Sequence, residues 1–445
     1  MSDNPLAIEI TFPNIMKFAA PTIAMLLFRA FYSITDGIFV ARFVGSEPLS
    51  AISIFYPVLS VMFAISAMLA LGGSVVVSRQ MGEGDEAAAR DNFSMTICVG
   101  ALIGIAVFAL GTLFVDEIAN FLGAKGEIHA FCREYMLSMM PFMPMLVLLM
   151  LFQSFFVAAG KPLLGMWSNV AGGIANIVLD YLFIAVFGMG LTGAGLATGT
   201  GYSLPALFGF FYFSTRRENI LCLVRPTFRQ KFKIFTKICV NGSSEFISNI
   251  SEALTTFLFN ITVVKHFGGN GAAALIIILY VQFSFSALFY GYSDGVVSLI
   301  SYNYGSGQPE KIRKLLAYSL KFTAAASAAL FAAAVMHEDL IVQIFAERDT
   351  PIFAIASAGL SLFSFAFLLN GTNMFAACFF NALSNGRTAA VLSFLRTLLL
   401  PSLLILILPG LGGPRAVWLA MPIAESVVLA LSAWELLTNR EKYGY

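Results

Sequence analysis

Residues 78–90 read SRQMGEGDEAAAR, and residues 301–313 read SYNYGSGQPEKIR. Shifted by 223 positions, Ser78 meets Ser301, Gly82 meets Gly305, Gly84 meets Gly307 and Arg90 meets Arg313. The matches include both turn glycines, which is more than chance supplies in so short a window. A similar shift pairs GMGLTGAGLA (188–197) with GLGGPRAVWLA (410–420). Similarity at half the chain length marks an internal repeat, and each copy is one structural unit.

Working outward from these turns, the chain divides into apolar runs. A spanning helix needs about 20 apolar residues, because each rises about 1.5 Å through a hydrocarbon core of about 30 Å. Twelve segments meet this test, near residues 15–40, 52–78, 93–115, 135–158, 164–187, 191–213, 238–264, 271–300, 316–336, 352–380, 386–408 and 414–437. The repeat therefore relates helices 1–6 to helices 7–12. A shift by an even number of helices keeps both copies in the same orientation, so the halves are parallel repeats about an axis normal to the membrane. Such transporters bind substrate between the halves. The expected fold is an all-α membrane protein of twelve transmembrane helices in two pseudo-symmetric six-helix lobes. Residues 1–213 form the first lobe, 214–237 a linker and 238–445 the second lobe.

Composition agrees. The 445 residues are 58% hydrophobic and 11% charged, whereas soluble domains carry roughly 25% charged residues. Most of the outside must therefore face the lipid bilayer. Open strands cannot cross lipid with unpaired backbone groups, and the ten-residue alternating segments of a barrel do not appear. A net charge of +1 argues against a nucleic-acid partner. The start, MSDNPLAIEITFP, lacks the basic and apolar regions of a cleaved signal, so the first helix is expected to be retained. Five scattered cysteines without CxxC spacing read as small apolar residues. His129, His266 and His337 stand far apart, so neither a metal site nor a cofactor is expected. No HExxH, GxSxG or DDxxD run suggests an enzyme.

The linker STRRENILCLVRPTFRQKFKIFTK (214–237) carries Arg216, Arg217, Arg225, Arg229, Lys231, Lys233 and Lys237. It follows an even-numbered helix and so lies on the side of both termini. By the positive-inside rule this side is cytoplasmic, in a multi-pass protein of the cell (inner) membrane.

Ionisable groups inside spanning segments are costly and point to function. Here they are Arg29, Asp36, Asp180, Glu245, Glu252, Asp294, Arg396 and Glu425. Asp36 and Asp180 belong to the same lobe, and Asn176, four residues before Asp180, shares its helical face. Carboxyls crowded in a low-dielectric pocket shift their titration towards neutral pH, as a proton-coupled carrier needs. The competing reading is that each merely bonds a neighbouring helix. Pro21, inside helix 1, removes a backbone donor and makes a hinge or a fixed bend. Arg396 and Glu425, on helices 11 and 12, suit a buried structural pair. The 44 Phe, 14 Tyr and 18 Met are mostly lipid-facing or core. Those lining a central cavity would suit flat lipophilic cations.

The stretches YSITDGIFVARFVG (32–45), VVSRQMGEGDEAAAR (76–90), IANIVLDYLFI (174–184), GMGLTGAGLAT (188–198) and SLISYNYGSGQPEKIRK (298–314) resemble the multidrug and toxic compound extrusion (MATE) family. FNALSNGRT (380–388), LSFLRTLLLP (392–401) and WLAMPIAE (418–425) are similar to its MepA-type branch. The resemblance implies a V-shaped pair of lobes and export of drugs, often organic cations, against protons or sodium. It implies a proton-carrying role for Asp36, Asn176 and Asp180, and a bending proline at Pro21. Gly242 and Glu252 keep the spacing of a second-lobe sodium site, but FLLNGTNMFAACFFNAL (367–383) offers Asn370 and Asn373 where an aspartate is implied. Glu252, Asp294 and Asn373 therefore stand as candidates for a second-lobe cation or substrate site. The expected activity is antiport of amphiphilic cationic small molecules against H+, with Na+ as the other candidate ion. The alternative is a flippase of lipid-linked saccharides, which would need several cavity arginines, whereas this chain offers more carboxyls than arginines inside the membrane. Nothing in the sequence demands more than a monomer.

Overall fold

Long apolar runs become helices that continue past the lipid, even with prolines such as Pro21, Pro57 and Pro205 inside them. The computed structural model describes residues 4–43, 46–216, 218–227 and 232–445, with side chains throughout except at 31–43, 46, 47 and 49. The first lobe comprises α1 (Phe12–Phe43), α2 (Ser46–Gly82), α3 (Glu86–Leu113), α4 (Glu127–Ala158), α5 (Pro162–Val186) and α6 (Gly190–Thr215). The second begins with one helical run, Phe232–Gly305, broken only at Gly268 (φ 65°, ψ −156°), a conformation that glycine tolerates and L side chains avoid. This break divides it into α7 (232–267) and α8 (269–305). There follow α9 (Pro309–Met336), α10 (Pro351–Ala382), α11 (Gly386–Gly412) and α12 (Pro414–Thr438). The two-lobed twelve-helix architecture is thus the observed one.

The starts follow from local chemistry. Asp85 caps α3 by accepting from the Ala88 N–H at 2.9 Å, satisfying a donor that the first helical turn leaves unpaired. Prolines open α5, α9, α10 and α12, where their missing N–H costs nothing. Helices run several residues beyond the apolar segments: α4 begins at Glu127 rather than near 135, and α7 begins at Phe232 inside the expected linker. Hydropathy finds only the lipid-spanning part, and the polar extensions stay helical because nothing stops them. Two short helices that hydropathy does not reveal, Val115–Phe121 and Glu338–Gln343, open on acidic pairs suited to the helix dipole. They start 223 residues apart, the same offset as the turn glycines.

The linker does not hang free. Arg90 donates to the Ile220 carbonyl at 2.7 Å, the Val224 N–H donates to Ser94 Oγ at 2.9 Å, and the Thr227 N–H donates to Asp91 Oδ1 at 2.8 Å. These bonds tie it to the start of α3. Arg217, Arg229 and Lys231 lie outside the described residues.

The lobes meet through a repeated glycine seam. A Cβ on Gly82 would press on the Tyr302 carbonyl, and one on Gly305 would press on the Arg79 carbonyl, so α2 and α8 cross backbone to backbone. Gly72 of α2 lies likewise against Ile238, and Gly242 of α7 against Met68. The mate of that contact under the repeat is Gly295 of α8 against Ala19 of α1, with Gly291 against Ile23 beside it. All these contacts lie in the halves of α1, α2, α7 and α8 nearest the termini. Small residues permit such approach where lipid tails supply no hydrophobic drive between helices.

Candidate functional site

In the first lobe, α5 presents one buried stripe: Gly165, Gly172, Gly173, Asn176 and Asp180. The glycines let α6 close in, with Gly172 meeting Gly201 and Pro205. Above that contact the stripe turns polar. Asp180 is fully buried and Asn176 is 3% exposed. Asn176 Nδ2 lies 3.5 Å from Thr198 Oγ1 of α6, and its Oδ1 has no partner among the described residues. Asn169, Asn176, Thr198 and Tyr202 border a cavity of about 20 Å³, room for about one water molecule. Directly after Asp180 the helix widens into a π-turn, Tyr181–Val186, a distortion frequent at functional sites. The structure therefore brings Asn176 and Asp180 together. α1 packs along α5, but the side chain of Asp36 lies outside the described residues.

The second lobe holds a larger polar network. Arg396 sits inside another π-turn, Leu395–Leu399 of α11, and is 8% exposed. Its Nη1 donates to Asn370 Oδ1 at 3.0 Å and lies 3.5 Å from Glu425 Oε1. Glu425 is 2% exposed, and it accepts from Asn373 Nδ2 at its Oε2 (2.6 Å) and at its backbone carbonyl (2.9 Å). Asn370 Nδ2 donates to Ser286 Oγ of α8 at 3.1 Å. The Tyr290 hydroxyl, one turn further along α8, lies close to Arg396. Each ionised group at a helix centre costs about 2.5–3.5 kcal/mol to place in a bilayer, and this shell of amides and hydroxyls offsets part of that cost.

On α7, Glu245, Asn249 and Glu252 follow one stripe, in which Glu245 and Asn249 are half-buried and Glu252 is exposed; Leu254, Phe257 and Ile261 are exposed as well. Glu245 and Glu252 both lie within electrostatic reach of Arg396. Asp294 of α8 stands apart, at the junction of the lobes. It borders a small cavity with Thr22 of α1, Ser74 of α2 and Gln153 of α4. Arg29 of α1 lies within electrostatic reach of Asp294. Its guanidinium sits 5.1 Å from the centre of the Phe63 ring, and its Nη1 approaches Met150 Sδ at 3.5 Å. Pro21 sits between Ala19 and Ile23, the two points where the α8 glycines press on α1.

Several sequence candidates change company in the structure. Asn373 is bonded to Glu425, and Asp294 borders the cavity at the lobe junction. Ser286 and Tyr290 escaped the sequence reading, which on α8 weighed only the charged Asp294. The i, i+4 stripe Gln282, Ser286, Tyr290, Asp294 along α8 is the signal that marks them. Among the described residues no group of three acidic, histidine or cysteine side chains is arranged to hold a metal ion.

Two parallel six-helix repeats, with costly charges held inside each lobe and at their junction, define a polytopic membrane transporter. The chain belongs to the MatE family, whose model matches twice, at residues 21–182 and 246–406, once in each lobe. It is similar to the multidrug export protein MepA of Staphylococcus saprophyticus, with 26% identity over 418 residues, covering 94% of this chain and 91% of that protein. The MepA of Staphylococcus haemolyticus is 27% identical over 438 residues, covering 97% and 94%. Among solved structures, an outward-facing multidrug resistance MATE family transporter of the MOP superfamily superposes with a TM-score of 0.92 at 21% identity, covering 100% of this chain and 98% of that one. A MOP superfamily transporter from Pyrococcus furiosus gives 0.91 at 21% identity, with the same coverage. At these identities the structural likeness is one of fold.

Proposed function

We propose that this transporter exports amphiphilic, cationic small molecules in exchange for protons, with Asp180, Asn176 and Asp36 as the coupling group. The observation that carries this reading is the complete burial of Asp180 one turn from Asn176, which borders a water-sized cavity. Carboxyls held inside spanning helices mark proton relays. Protonation from one side and release to the other then trades a proton for cargo. The MepA relatives, described as multidrug export proteins, support the drug-export part of the reading.

Cationic cargo follows from the charge balance. Glu245, Glu252, Asp294 and Glu425 outnumber Arg29 and Arg396 among the ionisable groups of the second lobe and the junction, so the interior favours positive ligands and disfavours the anionic headgroup of a lipid-linked saccharide. Pro21 is the hinge: bending α1 there shifts Ala19 and Ile23 against α8 and so transmits protonation to the seam between the lobes. In this reading both termini and the basic linker are cytoplasmic, and the glycine seam closes the cytoplasmic side. Dye efflux from inverted vesicles tests it, with proton and sodium gradients imposed separately. Asp180→Asn is expected to abolish proton-driven efflux in a protein that still folds; retained proton coupling would remove the mechanism.

A further inference from the structure

We propose that Arg396 is a resident cation of the second lobe, whose guanidinium occupies the place a sodium ion would otherwise take beside Glu425, Glu252 and Asn373. The inference rests on the proposed function, in which coupling belongs to the first lobe, and it says why the second lobe takes no ion.

The surroundings of Arg396 are those of a hard cation. Glu425, Glu252 and Glu245 supply carboxylates, Asn370 and Asn373 supply amide oxygens, and Tyr290 supplies a hydroxyl. Oxygen sets of this kind bind hard metal cations. The contacts are unlike those of a structural arginine pair, which is commonly bidentate with two short parallel bonds. Here a single Nη1 is divided between Asn370 at 3.0 Å and Glu425 at 3.5 Å. Two buried atoms face this network unspent: Arg396 Nε and Asn373 Oδ1 have no partner among the described residues. Asn373 is 1% exposed, so bulk water does not reach its oxygen. The guanidinium acts as a shared positive centre more than as one half of a locked pair. The π-turn of Leu395–Leu399 directs it inwards from α11.

Removing the guanidinium leaves the buried Glu425 carboxylate and two buried amide oxygens, with the half-buried Glu245 and the exposed Glu252 within electrostatic reach, an oxygen set that a monovalent metal ion suits. The test is thermal unfolding of the full-length protein in detergent, titrated with sodium chloride against choline chloride at constant ionic strength. The wild-type midpoint is expected to be the same in both salts. Arg396→Gln is expected to gain a saturable rise with sodium, since a ligand that binds only the folded state stabilises it by mass action. Adding Glu252→Gln should weaken the apparent sodium affinity of that variant at least about tenfold, the equivalent of about 1.4 kcal/mol. A sodium-dependent rise in the wild type that Glu252→Gln removes would overturn the proposal, as would a folded Arg396→Gln indifferent to sodium. Should Arg396→Gln not fold, the double variant Arg396→Gln with Glu425→Gln removes one charge of each sign and is measured instead. A weaker sodium response there supports the idea, and none refutes it. The readout is binding, so its failure is separable from that of the first-lobe mechanism, which the Asp180→Asn efflux assay decides.

Discussion

Glu425 illustrates what a single charge must do to survive inside a membrane lobe. It meets an amide on one oxygen and a guanidinium on the other. Pairs of this kind add little net stability, but losing one member leaves an uncompensated charge and costs about 3–5 kcal/mol. Glu425→Ala is therefore expected to lower the unfolding midpoint more than Glu425→Gln, which retains an acceptor for Asn373. Equal midpoints for both variants and the wild type would show that the network carries no stability. Asn176 differs from this pair in lining a cavity, which is why a transport role suits it and its neighbour Asp180 and a structural one suits Glu425.

Each lobe's fifth helix has a π-turn, yet at different heights: just after Asp180 in α5, and around Arg396 in α11. Repeats that share boundaries have diverged where the charges sit. α1 shows how a helix links such a site to the rest of the molecule. Pro21 cannot bond to the carbonyl of Lys17, and proline in a helix interior costs about 3 kcal/mol. Pro21→Ala is expected to raise the unfolding temperature or leave it unchanged while slowing proton-driven efflux. A variant that is more stable and equally fast would assign Pro21 to a fixed bend.

The whole molecule is two lobes joined along backbone contacts that no side chain can enter. A methyl group on Gly305 would strike the Arg79 carbonyl, whereas one on Gly410 meets nothing. Gly305→Ala is therefore expected to open the seam, read as faster labelling of a cysteine placed at that end of α2, together with lost efflux. Gly410→Ala should be neutral or stabilising by roughly 0.5–1 kcal/mol. Equal labelling in the two variants would mean that the seam does not gate.

How much of the fold and the site is legible in the sequence depends on the range of the force involved. Hydropathy locates all twelve spans, because lipid rewards apolar length irrespective of neighbours, and the offset between Gly82 and Gly305 reveals the two lobes. The i, i+4 spacing of Asn176 and Asp180 is enough to put both on one helical face, since helical periodicity is local. Which helix faces which is decided by packing between distant segments. Only the tertiary structure could set Asn373 against Glu425, put Asp294 at the lobe junction and surround Arg396 with Tyr290 and Asn370, because those partners lie 26 or more residues away along the chain and no periodicity connects them.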